Sequence, residues 1–94
     1  MPFPQQNPID YSAYAILNLE ENQQGCYGIY RGNVCVYIGK GDIRARMLAH
    51  LNGDNPFIAF HSPTHWYGSV TSDMDNEEKR LILEQRPLCN RRVG

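Results

Sequence analysis

One side chain of this 94-residue chain, Glu78, occupies a position that a bland role explains poorly, and two more, Arg46 and His50, stand at the edge of an apolar face. On a helical wheel Met74, Glu78, Leu81, Ile82 and Gln85 share one face, so Glu78 interrupts an apolar stripe. A carboxylate there is costly unless it is paired, hydrogen-bonded or bound to a cation, or else snorkels to water at the helix start. Arg46 and His50, four residues apart, stand one above the other at the edge of an Ile43, Met47, Leu51 face. By spacing alone such a pair is more often a surface feature than a site. Together, however, the three supply a hard oxygen for a divalent cation, a permanently charged planar donor and an imidazole that titrates near neutrality. Hydrolysis of a phosphodiester needs these types, because a water must be deprotonated, an anionic transition state neutralised and a leaving oxygen stabilised.

The elements that must hold them are readable in outline. Residues 1–9 contain three prolines and no periodicity, and a short helix is expected over Asp10–Leu19 with Asp10 as its cap. Gly25–Tyr30 and Val34–Gly39 are rich in β-branched and aromatic residues around Arg31-Gly32-Asn33, which reads as a hairpin. A helix of about ten residues follows from Asp42 and stops before Asn52-Gly53. Pro56 and Pro63 limit residues 54–64 to a helical turn within a connection. His65–Thr71 is a third strand, and a helix capped by Ser72 or Asp73 runs to Gln85, ahead of Pro87. The expectation is an α/β (α+β) fold, a small three-stranded antiparallel sheet flanked by helices in the order β-β-α-(α)-β-α. Residues 1–24 form a lead-in and 25–94 the functional part of one globular domain.

Composition excludes several classes. Apolar residues at 41% and charged residues at 20% describe an ordinary globular chain. No apolar stretch approaches the ~20 residues of a membrane span, and the start lacks a signal-peptide pattern, so a cytoplasmic location is expected. Cys26, Cys35 and Cys89 form an odd set without a C-x-x-C pair, and reduced, packed thiols are expected. Net charge is −1, which argues against binding polyanions by sheer excess charge. Yet residues 31–50 carry Arg31, Lys40, Arg44 and Arg46 against Asp42, and residues 79–94 carry Lys79, Arg80, Arg86, Arg91 and Arg92 against Glu84. Between them lie Asp73, Asp75, Glu77 and Glu78, a pattern that complements a helix dipole as well as any ligand. Gly39-Lys40-Gly41 lacks the glycine and the hydroxyl residue of a phosphate loop. His61 and His65 are separated by Pro63, which argues against a helical zinc pair, and no Gly-x-Ser-x-Gly element surrounds a serine. Phe57, Phe60, Trp66 and Tyr67 are expected in the core rather than as base-stacking platforms.

Gly25-Cys26-Tyr27, nine residues, then Tyr37-Ile38-Gly39-Lys40 resembles the paired signature of the GIY-YIG nucleases. Arg46 with His50 four residues on, and Glu78 followed by Leu81-Ile82, Pro87 and Asn90, match the family's later pattern at the offsets of its excision-repair branch. The resemblance covers Gly25–Asn90. The literal string Gly28-Ile29-Tyr30 leaves only six residues before Tyr37, fewer than the family usually has. Strand parity separates the two readings: a three-residue loop Arg31–Asn33 puts Tyr27 on the face of Tyr37, whereas a two-residue Gly32–Asn33 turn puts Tyr30 there. The first is favoured.

What the resemblance implies is a metal-dependent endonuclease acting on nucleic acid, with DNA ahead of RNA. Glu78 would bind Mg²⁺ or Mn²⁺, Arg46 would meet the phosphate, and Tyr27, Tyr37 or His50 would activate water, with Lys40 or Arg46 stabilising a phenolate. Gly39 and Asn90 would support the site. Lys40, Arg44, Arg86, Arg91 and Arg92 would bind the nucleic-acid backbone, with steep salt dependence. The chain has no room for a separate recognition domain, so strong specificity would need a homodimer, a partner protein or an unusual DNA shape. Two alternatives stay open: a catalytically silent binding or scaffold module, and an RNA nuclease.

Overall fold

The computed structural model describes residues 9–20 and 22–89. Its elements are β1 (Ile9–Asp10), α1 (Ala13–Leu17), β2 (Gln24–Arg31), β3 (Val34–Asp42), α2 (Ile43–Leu51), α3 (Pro56–Phe60), β4 (His65–Val70) and α4 (Met74–Gln85). The sheet has four antiparallel strands in the order β1-β4-β2-β3, not three. The added strand, β1, pairs Ile9 with Trp66 and Asp10 with His65. Two residues carry no legible alternation, so the strand leaves no signal in the sequence. Asp10 therefore ends a strand instead of capping a helix; the cap of α1 is Ser12, whose hydroxyl accepts from the Ala15 amide.

The hairpin differs from expectation at its turn and agrees at its far end. Arg31 pairs with Val34 and Tyr30 with Cys35, so the connection is the two-residue Gly32–Asn33, with Gly32 at φ 58°. Continued unchanged, that register would bring Tyr30 onto the face of Tyr37. A β-bulge after Tyr30 absorbs Val36 as an extra residue of β3, so that Ile29 pairs with Tyr37 and Tyr27 with Gly39. Tyr27 and Tyr37 thus share a face, as the sequence motif requires.

Each sheet face carries its own apolar cluster. One contains Tyr27, Ile29, Val36 and Trp66 with Ile16 of α1, Ile43 and Met47 of α2 and Ile58 of α3. The other joins Cys26, Tyr30, Cys35 and Ile38 to Leu81 of α4, with Met74 and Ile82 packed against it. Phe57 and Phe60 are exposed, at 69% and 79%, contrary to expectation, because the short α3 turns Ile58 inward and these two outward. The acids Asp75 and Glu77 lie in the first turn of α4, but its last turn holds no base. Arg86 is its C-cap, at φ 49°.

Gly25 faces Val70 across the β2–β4 ladder, and a Cβ there would collide with the Ser69 carbonyl and lie 2.8 Å from the Val70 Cα. Both obstacles are backbone, so they cannot rotate away. Gly25→Ala is expected to destabilise the fold by ~3 kcal/mol, the upper end for overpacking. Gly32→Ala, in open space, should cost ~1 kcal/mol for its φ alone. Urea denaturation of the two variants checks the order, which equal midpoints would contradict.

Candidate active site

Local sequence chemistry sets up the tyrosine side of the site. Asp42 caps α2 by accepting from the Ala45 amide, so the helix leaves the end of β3 and runs back along the sheet. Arg46 and His50 then project on the side facing Tyr27 and Tyr37. Tyr27 is flanked across the ladders by Gly39 and Gly68, and a Cβ at Gly39 would strike the Tyr27 ring. A Cβ at Gly41 would press on the Arg46 side chain, at 3.3 Å from its Cγ. Glycines on β3 therefore make the room that the Tyr27 and Arg46 side chains fill.

The rings of Tyr27, Tyr37 and His50 lie within 6.3 Å of one another, centroid to centroid. Tyr27 Oη and His50 Nε2 are 2.8 Å apart, and His50 Nδ1 is 2.8 Å from Asp54 Oδ1. Arg46 Nη2 donates to Asp54 Oδ2 at 3.4 Å, and its guanidinium lies close enough to Tyr27 to act on its phenol. Tyr27 and His50 are buried, whereas Tyr37 is half-buried and the Arg46 side chain is 42% exposed. Burial pushes the Tyr27 phenol well above the usual tyrosine range, Tyr37 adds to this, and the Arg46 guanidinium opposes it. Burial likewise lowers His50 below its ordinary 6.5, against the opposing pull of Asp54. The chain therefore holds a neutral imidazole against a protonated phenol, not a standing phenolate.

This arrangement has a stability consequence. A histidine whose folded pKa is depressed binds fewer protons folded than unfolded, so its contribution is complete above 6.5 and is lost as pH falls below that value. Thermal midpoints of the wild type should fall between about pH 7.5 and about pH 5.5, and His50→Gln should flatten that decline. An unchanged slope in the variant would show that His50 is not held neutral.

Glu78 lies elsewhere. Along β3 Gly39 faces Tyr27, and the next residue, Lys40, points to the opposite face, where it reaches α4. Lys40 Nζ stands 3.4 Å from Glu78 Oε1 and also bonds Asp75. The carboxylate predicted to need a partner within an apolar stripe thus has one: its side chain, 22% exposed, leans to Lys40 while Met74, Leu81 and Ile82 fill the seam. Gln85, at the end of the same stripe, accepts from Tyr30 Oη at 2.9 Å. Tyr30 belongs to this second face, away from Tyr37.

The structure therefore joins Tyr27, Tyr37, Arg46 and His50 on one face of β3, and Lys40 with Glu78 on the other. The cation beside Tyr27 is Arg46, not Lys40. Lys40 is engaged by two acids and is no free basic contact. Arg44 is half-buried on α2 and Arg86 is exposed past α4. Asn90, Arg91 and Arg92 lie outside the described residues. Sequence reasoning missed Asp54 and Asp75. Asp54 stands four residues after His50 and eight after Arg46, a spacing that could have flagged it, but the Asn52-Gly53 stop assigns it to a loop.

For a divalent cation the donor chemistry fits. Glu78 offers a hard, partly solvated oxygen, and Mg²⁺ is commonly bound through one or two carboxylates, with waters and substrate phosphate completing the shell. Among the described residues no three of His, Cys, Asp and Glu gather into a protein-only cage. No helix of the described residues is long and apolar enough to cross a membrane.

An antiparallel, hairpin-centred sheet with α2 against one face and α4 against the other is the α+β arrangement of the GIY-YIG superfamily fold. No protein-family model matches the chain, and no curated protein sequence matches it significantly. Among solved structures it is similar to the GIY-YIG N-terminal endonuclease domain of UvrC from Thermotoga maritima, bound to its catalytic divalent cation, magnesium. The TM-score is 0.67 at 25% identity, over 80% of this chain and 90% of that one.

Proposed function

We propose that this protein is a metal-dependent endonuclease that hydrolyses phosphodiester bonds in nucleic acid, with DNA the expected substrate. The observation that carries the reading is the Tyr27–His50 hydrogen bond beside Arg46, on a fold shared with a magnesium-bound endonuclease domain. Glu78 would hold the divalent cation, which when bound supplies charge neutralisation at the phosphate. Arg46, reaching solvent from α2, offers paired donors to phosphate oxygens as charge accumulates on them. The two phenols offer the attacking water a route for its proton. Tyr37 is the more accessible, Tyr27 is joined to His50, and the neutral Nε2 is the acceptor at the end.

The basic surface is modest, so affinity rests on Arg46 and on exposed bases such as Arg86 rather than on net charge. A homodimer or partner protein would supply whatever sequence selectivity exists. The test is incubation with plasmid and branched DNA, and with matched RNA, in Mg²⁺ or Mn²⁺ and in EDTA, with Glu78→Gln prepared alongside. Cutting that needs metal and disappears in the variant supports the proposal. Binding of DNA without any cutting would replace it with the silent module, and cutting of RNA alone would move the substrate.

A further inference from the structure

We propose that Asp54 is a positioning residue of this site: its carboxylate fixes His50 as the Nδ1–H tautomer, aims the Nε2 lone pair at the Tyr27 hydroxyl, and braces Arg46 with its second oxygen. The inference deepens the nuclease reading and rests on it for the catalytic consequence. Its structural half stands on geometry alone.

The chain is built to deliver this carboxylate. Gly53, at φ 90°, ends α2 by turning the backbone, and the Asp54 amide closes onto the Ala49 carbonyl at 3.1 Å. The side chain is thereby returned toward the helix it has just left. Its two oxygens then divide between two partners one helical turn apart: Oδ1 to His50 Nδ1 at 2.8 Å and Oδ2 to Arg46 Nη2 at 3.4 Å.

The proton inventory admits one assignment for a neutral imidazole. A carboxylate only accepts, so Nδ1 must carry the hydrogen. Nε2 is then a lone pair, and the partner 2.8 Å away must donate, which a phenol does. Burial of His50 to 2% exposure leaves the ring without water as a substitute donor or acceptor. Without Asp54 the ring is free to take the other tautomer, in which Nε2–H would point at Tyr27 and could no longer receive its proton. A carboxylate–imidazole–hydroxyl chain of this kind is known to owe much of its effect to tautomer control. Among the described residues the groups facing His50 are Tyr27 from β2, Tyr37 from β3, and Arg46 and Asp54 from α2 and its following turn. Asp54 is the one acid in that set.

The experiment has two arms, run on the full chain with Asp54→Ala and Asp54→Asn. In the first, long-range ¹H–¹⁵N spectra of the histidine ring report the tautomer in the absence of any substrate. The wild type should show a protonated Nδ1 and an unprotonated Nε2 at neutral pH, and Asp54→Ala should shift the ring toward Nε2–H. In the second, DNA cleavage should fall by ~10²-fold or more in both variants, mostly in kcat, with thermal midpoints little changed. Because Asp54 favours the charged imidazole, its loss should also move the acidic limb of the pH–rate profile to lower pH. A wild-type ring found as Nε2–H or doubly protonated overturns the proposal, as does wild-type turnover in Asp54→Ala. If the wild type cuts no nucleic acid, the nuclease reading fails by itself and the spectra still decide whether Asp54 sets the tautomer.

Discussion

Glu78→Gln is expected to lower the cleavage rate by ~10³-fold while leaving the fold and most of the affinity for DNA in place. The amide keeps the shape of the side chain and removes its charge, so the apolar seam of Met74, Leu81 and Ile82 is undisturbed. Lys40 retains Asp75, and an exposed ion pair of this kind contributes little to stability in any case. On the proposed reading, what is lost is the anionic oxygen that would hold the cation, whose stabilisation of transition-state charge would amount to several kcal/mol, with each ~1.4 kcal/mol worth tenfold. Single-turnover cleavage over a Mg²⁺ titration, with circular dichroism as the fold control, gives the answer. Retained cutting at saturating Mg²⁺ would remove Glu78 from the site.

Arg46→Ala should cost ~10³-fold or more in kcat, the range seen when a phosphate-stabilising arginine is removed, with a much smaller change in substrate affinity. Its guanidinium is placed beside Asp54 and Tyr27, yet 42% of the side chain is open to solvent, which leaves it accessible to the phosphate that the proposed function assigns to it. Arg46→Lys should recover only part of the loss, because an ammonium supplies a point charge without the paired planar donors. Equal weakening of binding and turnover, or full rescue by lysine, would reduce Arg46 to a general electrostatic contact. Measuring DNA affinity in Ca²⁺ and cleavage in Mg²⁺ separates these outcomes.

The sequence displays the long elements because each has a period that burial enforces. Ile43, Met47 and Leu51 mark α2, and Met74, Leu81 and Ile82 mark α4, where the misfit of Glu78 is itself the signal. That Tyr27 and Tyr37 share a face was legible too, although by a different construction: a tighter turn and a bulge take the place of the longer loop. Strand β1 and the Ser12 cap were hidden because two residues and one hydroxyl leave no periodic trace. Asp54 was hidden for a different reason. Its role depends on the chain reversing at Gly53, and such a reversal is a matter of backbone angle, not of residue pattern. Phe57 and Phe60 misled because aromatic identity says nothing about direction on so short a helix as α3.

The bulge at Val36 also governs how the hairpin can change in length. Val36 is the surplus residue of β3, so one deletion between the turn and Tyr37 would close the bulge and still leave Ile29 opposite Tyr37 and Tyr27 opposite Gly39. Faces alternate with every residue, so a second deletion would bring Tyr37 opposite Tyr30, exchange the neighbours of Tyr27 and Tyr30 and separate the phenol from His50. The hairpin thus carries one spare residue: it can shorten by one and keep the site, but not by two.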